Sequence, residues 1–176
     1  MVPRNVIHET PRLRLRELGD GDDDAAFILE LVNEPGWLRF IGDRHVHSLE
    51  DAKGYIARGP AASYAKHGFG LWAVELLSSS ERIGMCGLIR RDSLPHPDLG
   101  FAFLARHHGR GYAREATAAV VELARTRYQL VRLLAITEPD NAASQAVLAR
   151  VGFHPEQRFM WPETGTEQAL FAHELG

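Results

Sequence analysis

The sequence predicts a mixed α/β fold of the α+β kind: a mostly antiparallel sheet of about six to seven strands flanked by helices. Three observations predict it. Short strand-like runs outnumber the helical ones and are separated by turn-forming residues. A strand–helix–strand unit spans residues 99–139 and requires one parallel pair with a right-handed crossover. The chain closes on two strand-like runs around a Thr-Gly turn, which is an antiparallel hairpin. Its 176 residues, 45% hydrophobic and 24% charged, suit one globular domain over residues 1–176 with a core of its own.

The elements follow in order. "TPRLRLREL" (Thr10 to Leu18) alternates Leu and Arg with period two. Arg12, Arg14 and Arg16 are then the wet face of a half-solvated strand, with a phosphate site as the alternative. "GDDDAAFILELVNEPG" (Gly21 to Gly36) is a helix whose aspartates sit at its positive end and which Pro35-Gly36 stops. "SLEDAKGYIARGP" (Ser48 to Pro60) is a second helix, capped by Ser48 and limited by Pro60. "LWAVELL", "RIGMCGLIRR" and "LGFAFLA" are strands, beginning at Leu71, Arg82 and Leu99. A helix follows the glycines at 109 and 111. Ala113, Ala116, Thr117, Val120, Val121 and Ala124 form its sheet-packing face at spacings of three and four. "RLLAITEP" (from Arg132) suits a buried strand, and "DNAASQAVLARVGF" (from Asp140) a short helix. Asp140 or Asn141 caps that helix, and Gly152 ends it in the left-handed conformation. Strands over residues 154–161 and 167–174 complete the chain.

Bulk properties exclude several classes. A net charge of −3 argues against a general nucleic-acid surface, so an anionic ligand must be met by a local arrangement. The single cysteine, Cys86, rules out an internal disulfide and is expected to be a small core residue. The start "MVPRNVIHETPRLRL" has no continuous apolar leader, and no window reaches a membrane span. The expected setting is cytoplasmic, without membrane or nucleic-acid partners. His45/His47 and His107/His108 lack helical spacing and Cys partners, so no metal site is expected.

"HHGRGYAREATAAVVELA" (His107 to Ala124) opens a helix with Gly-Arg-Gly. Free N–H groups point out of a helix start, and a residue without Cβ lets a ligand approach them. With the helix dipole this makes an anion site, flanked by Arg110 and Arg114 one turn apart. A tight turn with solvated arginines is the alternative. The pattern is neither a Walker loop nor the dinucleotide fingerprint.

"GFAFLARHHGRGYAREA" followed by "NAASQAVLARVGF" resembles the GNAT superfamily of acyl-CoA-dependent N-acetyltransferases, most of all its ribosomal-protein N-terminal acetyltransferase (Rim-type) branch. The family's Gln/Arg-x-x-Gly-x-Gly/Ala turn is matched here by His108-Gly109-Arg110-Gly111-Tyr112-Ala113, with His108 in place of Gln or Arg. A register starting at Arg106 restores the arginine but spoils the match to "GYAREA". The resemblance covers nearly the whole chain and implies a GNAT-like fold with acetyl-CoA as co-substrate and no metal. It implies pantetheine contacts from Phe101 to Phe103, and pyrophosphate contacts from Gly109, Arg110, Gly111, Tyr112, Ala113 and Arg114, with His108 beside them. Leu148 stands where many members have a donor Tyr. The Asn-x-x-Ser pair of the Rim-like branch is matched by Asn141, to hold the pantetheine, and Ser144, to face the sulfur. A capping pair is the structural alternative for those two.

For the base the resemblance points to Glu163, in the "PETG" turn, with Asp98 as second candidate. Trp37, Arg39 and Phe40 occupy the region that lines the acceptor site in the family; a satellite core is the alternative. The expected reaction is direct attack of a primary amine, on a protein N-terminus or a small molecule, upon the acetyl-CoA thioester. The expected state is a monomer or homodimer. A non-catalytic acyl-CoA-binding module and a nucleotide-phosphate-binding regulator are the readings from other classes.

Overall fold

The structure is a computed structural model that describes residues 5–176. The first four residues, part of the start read for a leader, lie outside the described residues. The elements are β1 (Val6–Glu9), β2 (Leu13–Arg16), α1 (Asp22–Val32), α2 (Pro35–Phe40), α3 (Leu49–Ile56), α4 (Ala62–His67), β3 (Leu71–Leu76), β4 (Arg82–Ile89), β5 (Asp98–Phe103), α5 (Tyr112–Thr126), β6 (Arg132–Thr137), α6 (Ala142–Arg150), β7 (His154–Met160) and β8 (Glu167–Glu174). They build one eight-stranded sheet in the order β1-β2-β3-β4-β5-β6-β8-β7. Every neighbouring pair is antiparallel except β5 and β6. The α+β class is as the sequence predicts, with one more strand than the expected range. The extra strand is β1, a four-residue edge whose pattern is too short to show a period.

Two layers of helix cover the sheet. On one face α5 and α6 pack against Leu13, Leu15, Trp72 and Leu133. Ala116, Val120, Leu123 and Ala124 supply the buried stripe of α5, and fully burying a side chain of Val or Leu size contributes about 1.5–3 kcal/mol. On the other face α1 and α3 bury Ile28, Leu31 and Ile56 against Ala73 and Met85. Cys86 lies in the core and is free, as expected, and burial pushes its thiol pKa up.

Three local expectations change. Pro35 does more than end a helix: α1 stops at Val32, and Pro35 starts α2, where its missing N–H costs nothing. Pro60 does not limit the second helix. The chain widens into a π-helical turn over Ala57–Ala61 and runs on into α4, so the wider turn absorbs the lost donor. Arg16 is not on a wet face. It is 1% exposed and places a two-pronged fork on Asp24, with Nη1 to Oδ2 at 2.9 Å and Nη2 to Oδ1 at 2.8 Å. Its Nε lies 3.1 Å from Glu75 Oε2. The covering helix α1, contributed by a later segment, converts a solvent-facing strand position into a buried ion pair.

Candidate active site

The site begins where two strands part. β5 and β6 are matched at Asp98 with Leu134, where the Leu134 N–H donates to Pro97 O at 3.0 Å, and at no later residue. Leu104 N–H donates to Ile83 O on β4. Backbone direction alternates along a strand, so the N–H and C=O groups of Phe101 and Phe103 point away from β4 and into the opening. The opening thus has a row of backbone donors and acceptors along one wall. His108 closes part of it: its Nε2 lies 2.8 Å from Phe103 O. A carbonyl only accepts, so Nε2 carries the proton there. The ring expected beside the pyrophosphate is therefore tied to β5 by one nitrogen.

At the far end lies the start of α5. Gly109 and Gly111 have φ of 75° and 80°, in the left-handed region that favours glycine. A Cβ on Gly109 would meet nothing within 4 Å, so open space faces that residue. The first helical hydrogen bond runs from Glu115 N–H to Gly111 O at 3.1 Å, leaving the N–H groups of Tyr112, Ala113 and Arg114 without helical acceptors. Arg110 and Arg114 are exposed beside them.

The turn is held from behind by residues the sequence reading did not single out together. Glu115 accepts from Thr10 Oγ1 at 2.7 Å, from Arg12 N at 2.9 Å and from Arg12 Nε at 2.6 Å. Burial works against its charge, but these donors hold its carboxyl below the usual range. Arg12 Nη1 also donates to Arg110 O at 2.9 Å, and its guanidinium lies 4.5 Å from the Tyr112 ring centre. Arg12 is thus neither idle on a wet face nor turned to a ligand; it straps the glycine turn to the β1–β2 hairpin.

On α6 the Asn141 side chain accepts from Ser144 N–H at 3.2 Å. The expected cap is present. The Ser144 hydroxyl is half-buried and makes no hydrogen bond among the described residues, so it is available. Gly152, at φ 100°, sits in the left-handed region just past α6. Leu148 is wholly buried in the core. Trp37 belongs to the second core, whereas Arg39 and Phe40 lie outside it, Arg39 reaching Asp140 at 3.2 Å.

The two candidate bases lie in opposite environments. Glu163 is exposed in the turn between β7 and β8. Asp98 is 1% exposed, at the point where β5 and β6 separate. Burial pushes its pKa up to about 6, against the opposing pull of Arg91, whose Nε donates to Oδ1 at 3.0 Å; Glu163 adds a further upward push. Arg91 lies 5.5 Å from the Trp161 ring centre. Tyr55, on α3, has its phenol pKa raised by burial, while Arg44 and Arg91 oppose that rise. Asp98, Arg91, Trp161, Tyr55 and Glu163 thus come from four separate stretches of chain, and no sequence motif marks Arg91, Trp161 or Tyr55.

Asp43, His45 and His47, alternate residues of a non-helical segment, have ligand atoms within 4.8 Å of one another on an exposed loop. No helix is long and apolar enough to cross a membrane among the described residues.

A family model described as an acetyltransferase (GNAT) domain matches residues 12–154. The chain belongs to this family. It is by family a GNAT N-acetyltransferase, and the matched span holds both the glycine turn and the Asn-x-x-Ser helix. Among curated relatives, the uncharacterized N-acetyltransferase YoaA of Bacillus subtilis (strain 168) is 30% identical over 151 residues, covering 85% of this chain and 84% of YoaA. Among solved structures, an acetyltransferase from Agrobacterium tumefaciens strain C58 is 26% identical with a TM-score of 0.78, covering 99% of this chain and 95% of that one. An acetyltransferase from Salmonella typhimurium, described as modifying the N-terminal serine of ribosomal protein L7/L12, has a TM-score of 0.81 at 16% identity. It covers 98% of this chain and 100% of its own, and shares the fold.

Proposed function

We propose that this enzyme transfers the acetyl group of acetyl-CoA to a primary amine by direct attack, with Asp98 as the base. The parting of β5 and β6 beyond Asp98 carries the reading, because one cleft then runs from a buried carboxylate to an open helix start. The residues present fit the co-substrate. Phe101 N–H and C=O and Phe103 N–H face the opening as partners for an amide-bearing chain such as pantetheine. The N–H groups from Gly109 to Arg114, with Arg110 and Arg114, suit a pyrophosphate. Asn141 caps α6, the element that follows β6.

Asp98, with a pKa near 6, is ionised at neutral pH yet basic enough to take a proton from the substrate ammonium, directly or through one water. The freed amine nitrogen forms its bond to the thioester carbonyl carbon as the carbon–sulfur bond breaks. The Phe103 N–H is placed to polarise that carbonyl. The nitrogen still carries one surplus proton after attack, and that proton passes, directly or through one water, to the departing sulfur, to which the Ser144 hydroxyl donates a hydrogen bond. Glu163 then acts from the rim, raising the Asp98 pKa, rather than as the base itself. The acceptor is a protein N-terminus or a small-molecule amine, the setting cytoplasmic, and the 176 residues act as one domain.

Calorimetric titration with acetyl-CoA, set beside Gly109→Asp protein, tests the reading. A carboxylate there finds open space and repels pyrophosphate, and Gly109→Asn carries the same strain at φ 75° without the charge and should bind more tightly than Gly109→Asp. Binding weakened by on the order of tenfold or more in a folded variant is expected. A folded wild type that does not bind acetyl-CoA would overturn the proposal.

A further inference from the structure

We infer that the acceptor side of the cleft holds an anion subsite built on Arg91, so that the enzyme prefers amines carrying a carboxylate or similar anionic group a few bonds from the nitrogen. The inference rests on the reading of Asp98 as the base.

Arg91 follows β4 and packs between Asp98 and Trp161. Its Nε bond to Asp98 is the one side-chain hydrogen bond it makes among the described residues. Both Nη groups are therefore uncommitted, on a side chain only 26% exposed. Neither Nη is wholly buried, so the fork is open to a ligand in place of water, and a carboxylate meets it with two parallel hydrogen bonds. Lysine could not present that planar fork. The Nε bond to Asp98 anchors the guanidinium, and the Trp161 ring centre lies 5.5 Å away within cation–π range.

The surrounding charges agree with a ligand of both signs. Arg44 makes no ion pair or hydrogen bond among the described residues, and its charge and that of Arg91 both reach the Tyr55 phenol. Asp98, already tied to Arg91, and Glu163 on the exposed turn supply negative charge beside them. An ammonium is drawn to the carboxylates and an anion to the Nη fork. The Nη groups share a guanidinium with the nitrogen that touches Asp98, which sets the separation of the two charges at a few bonds. A free amino acid meets this with its own carboxylate. A polypeptide meets it with an acidic side chain at its N-terminus. Polycationic amines are repelled by the two arginines.

The test is acetylation kinetics on matched acceptors: amino acids against their amides, and peptides beginning with Asp or Glu against those beginning with Asn or Gln. The wild type should favour the carboxylate-bearing member roughly ten- to hundredfold in kcat/KM. In Arg91→Lys that preference should collapse chiefly through KM, while the dissociation constant for acetyl-CoA stays the same. Arg44→Gln should lower it a few-fold and leave amide acceptors unaffected. The two acceptor families separate a free carboxylate from a peptide side chain as its source. Equal use of charged and neutral acceptors overturns the inference, as does a preference that survives in Arg91→Lys. So does a protein that binds acetyl-CoA and acetylates no carboxylate-bearing amine. Loss of acetyl-CoA binding by the wild type would instead bring down the reading of the cleft.

Discussion

Asp24 and Asp98 are both 1% exposed, and the fold treats them in opposite ways. Burial alone would raise either pKa. At Asp24 burial is outweighed by the Arg16 fork, by the Gly19 N–H at 2.8 Å and by Arg82 Nε at 2.5 Å, and the carboxyl is held at about 2. At Asp98 one Arg91 nitrogen opposes the burial, Glu163 adds repulsion, and the carboxyl settles at about 6. The first is a permanent anion tying β2, α1 and β4 together. The second can gain and lose a proton near neutral pH. The number of donors around a buried carboxylate, rather than its depth, separates a structural role from a chemical one here.

The comparison breaks most sharply through turnover. Asp98→Asn is expected to lower kcat/KM by about 10²–10⁴. It should also remove the acid limb of the pH–rate profile, which in the wild type rises with pH through about 6 as the base ionises. A wild-type profile flat from pH 5 to 8 would exclude Asp98 as the base.

Asp24→Ala should act on stability. Removing one partner of a buried pair leaves the Arg16 fork without acceptors and Arg82 without its main partner, with only Glu75 beside Arg16, and costs about 3–5 kcal/mol, read as a lower denaturation midpoint. Acetyl-CoA affinity of the folded fraction should not change. Because the folded pKa of Asp24 lies below its ordinary 3.8, its contribution is present above that value and is lost as pH falls through about 2.

Asp98 carries the opposite sign. Its folded pKa lies above 3.8, so its contribution to stability is full below that value and is lost as pH rises through about 6. Asp98→Asn should therefore stabilise the fold at pH 8 by on the order of 1–3 kcal/mol relative to pH 4, measured by urea unfolding at both. The smallest effect belongs to Glu163→Gln. Removing its charge should move the acid limb of the rate profile to lower pH by a fraction of a unit and leave acetyl-CoA binding unchanged, in keeping with a tuning position. Loss of turnover as large as that of Asp98→Asn would return the base to Glu163.

Local patterning already carries the α+β class, the amphipathic α5, the Ser48 and Asn141 caps, the left-handed Gly152 and the Gly109–Gly111 turn. Each depends on residues within a few positions of one another, so spacing and side-chain chemistry in the sequence suffice. The order of those elements also determines one parallel pair, and with it the cleft. What depends on segments remote in sequence was settled only by tertiary structure. Arg16 becomes a buried ion pair because α1 folds over β2. Pro60 is tolerated because the backbone widens around it. Of the two candidate carboxylates, Asp98 is the buried one, and its pKa rises because the assembled sheet strips it of water, with Glu163 adding to the rise and Arg91 opposing it. A pKa is set by lost water and by charges brought in from elsewhere in the chain, and neither quantity exists until the sheet has assembled.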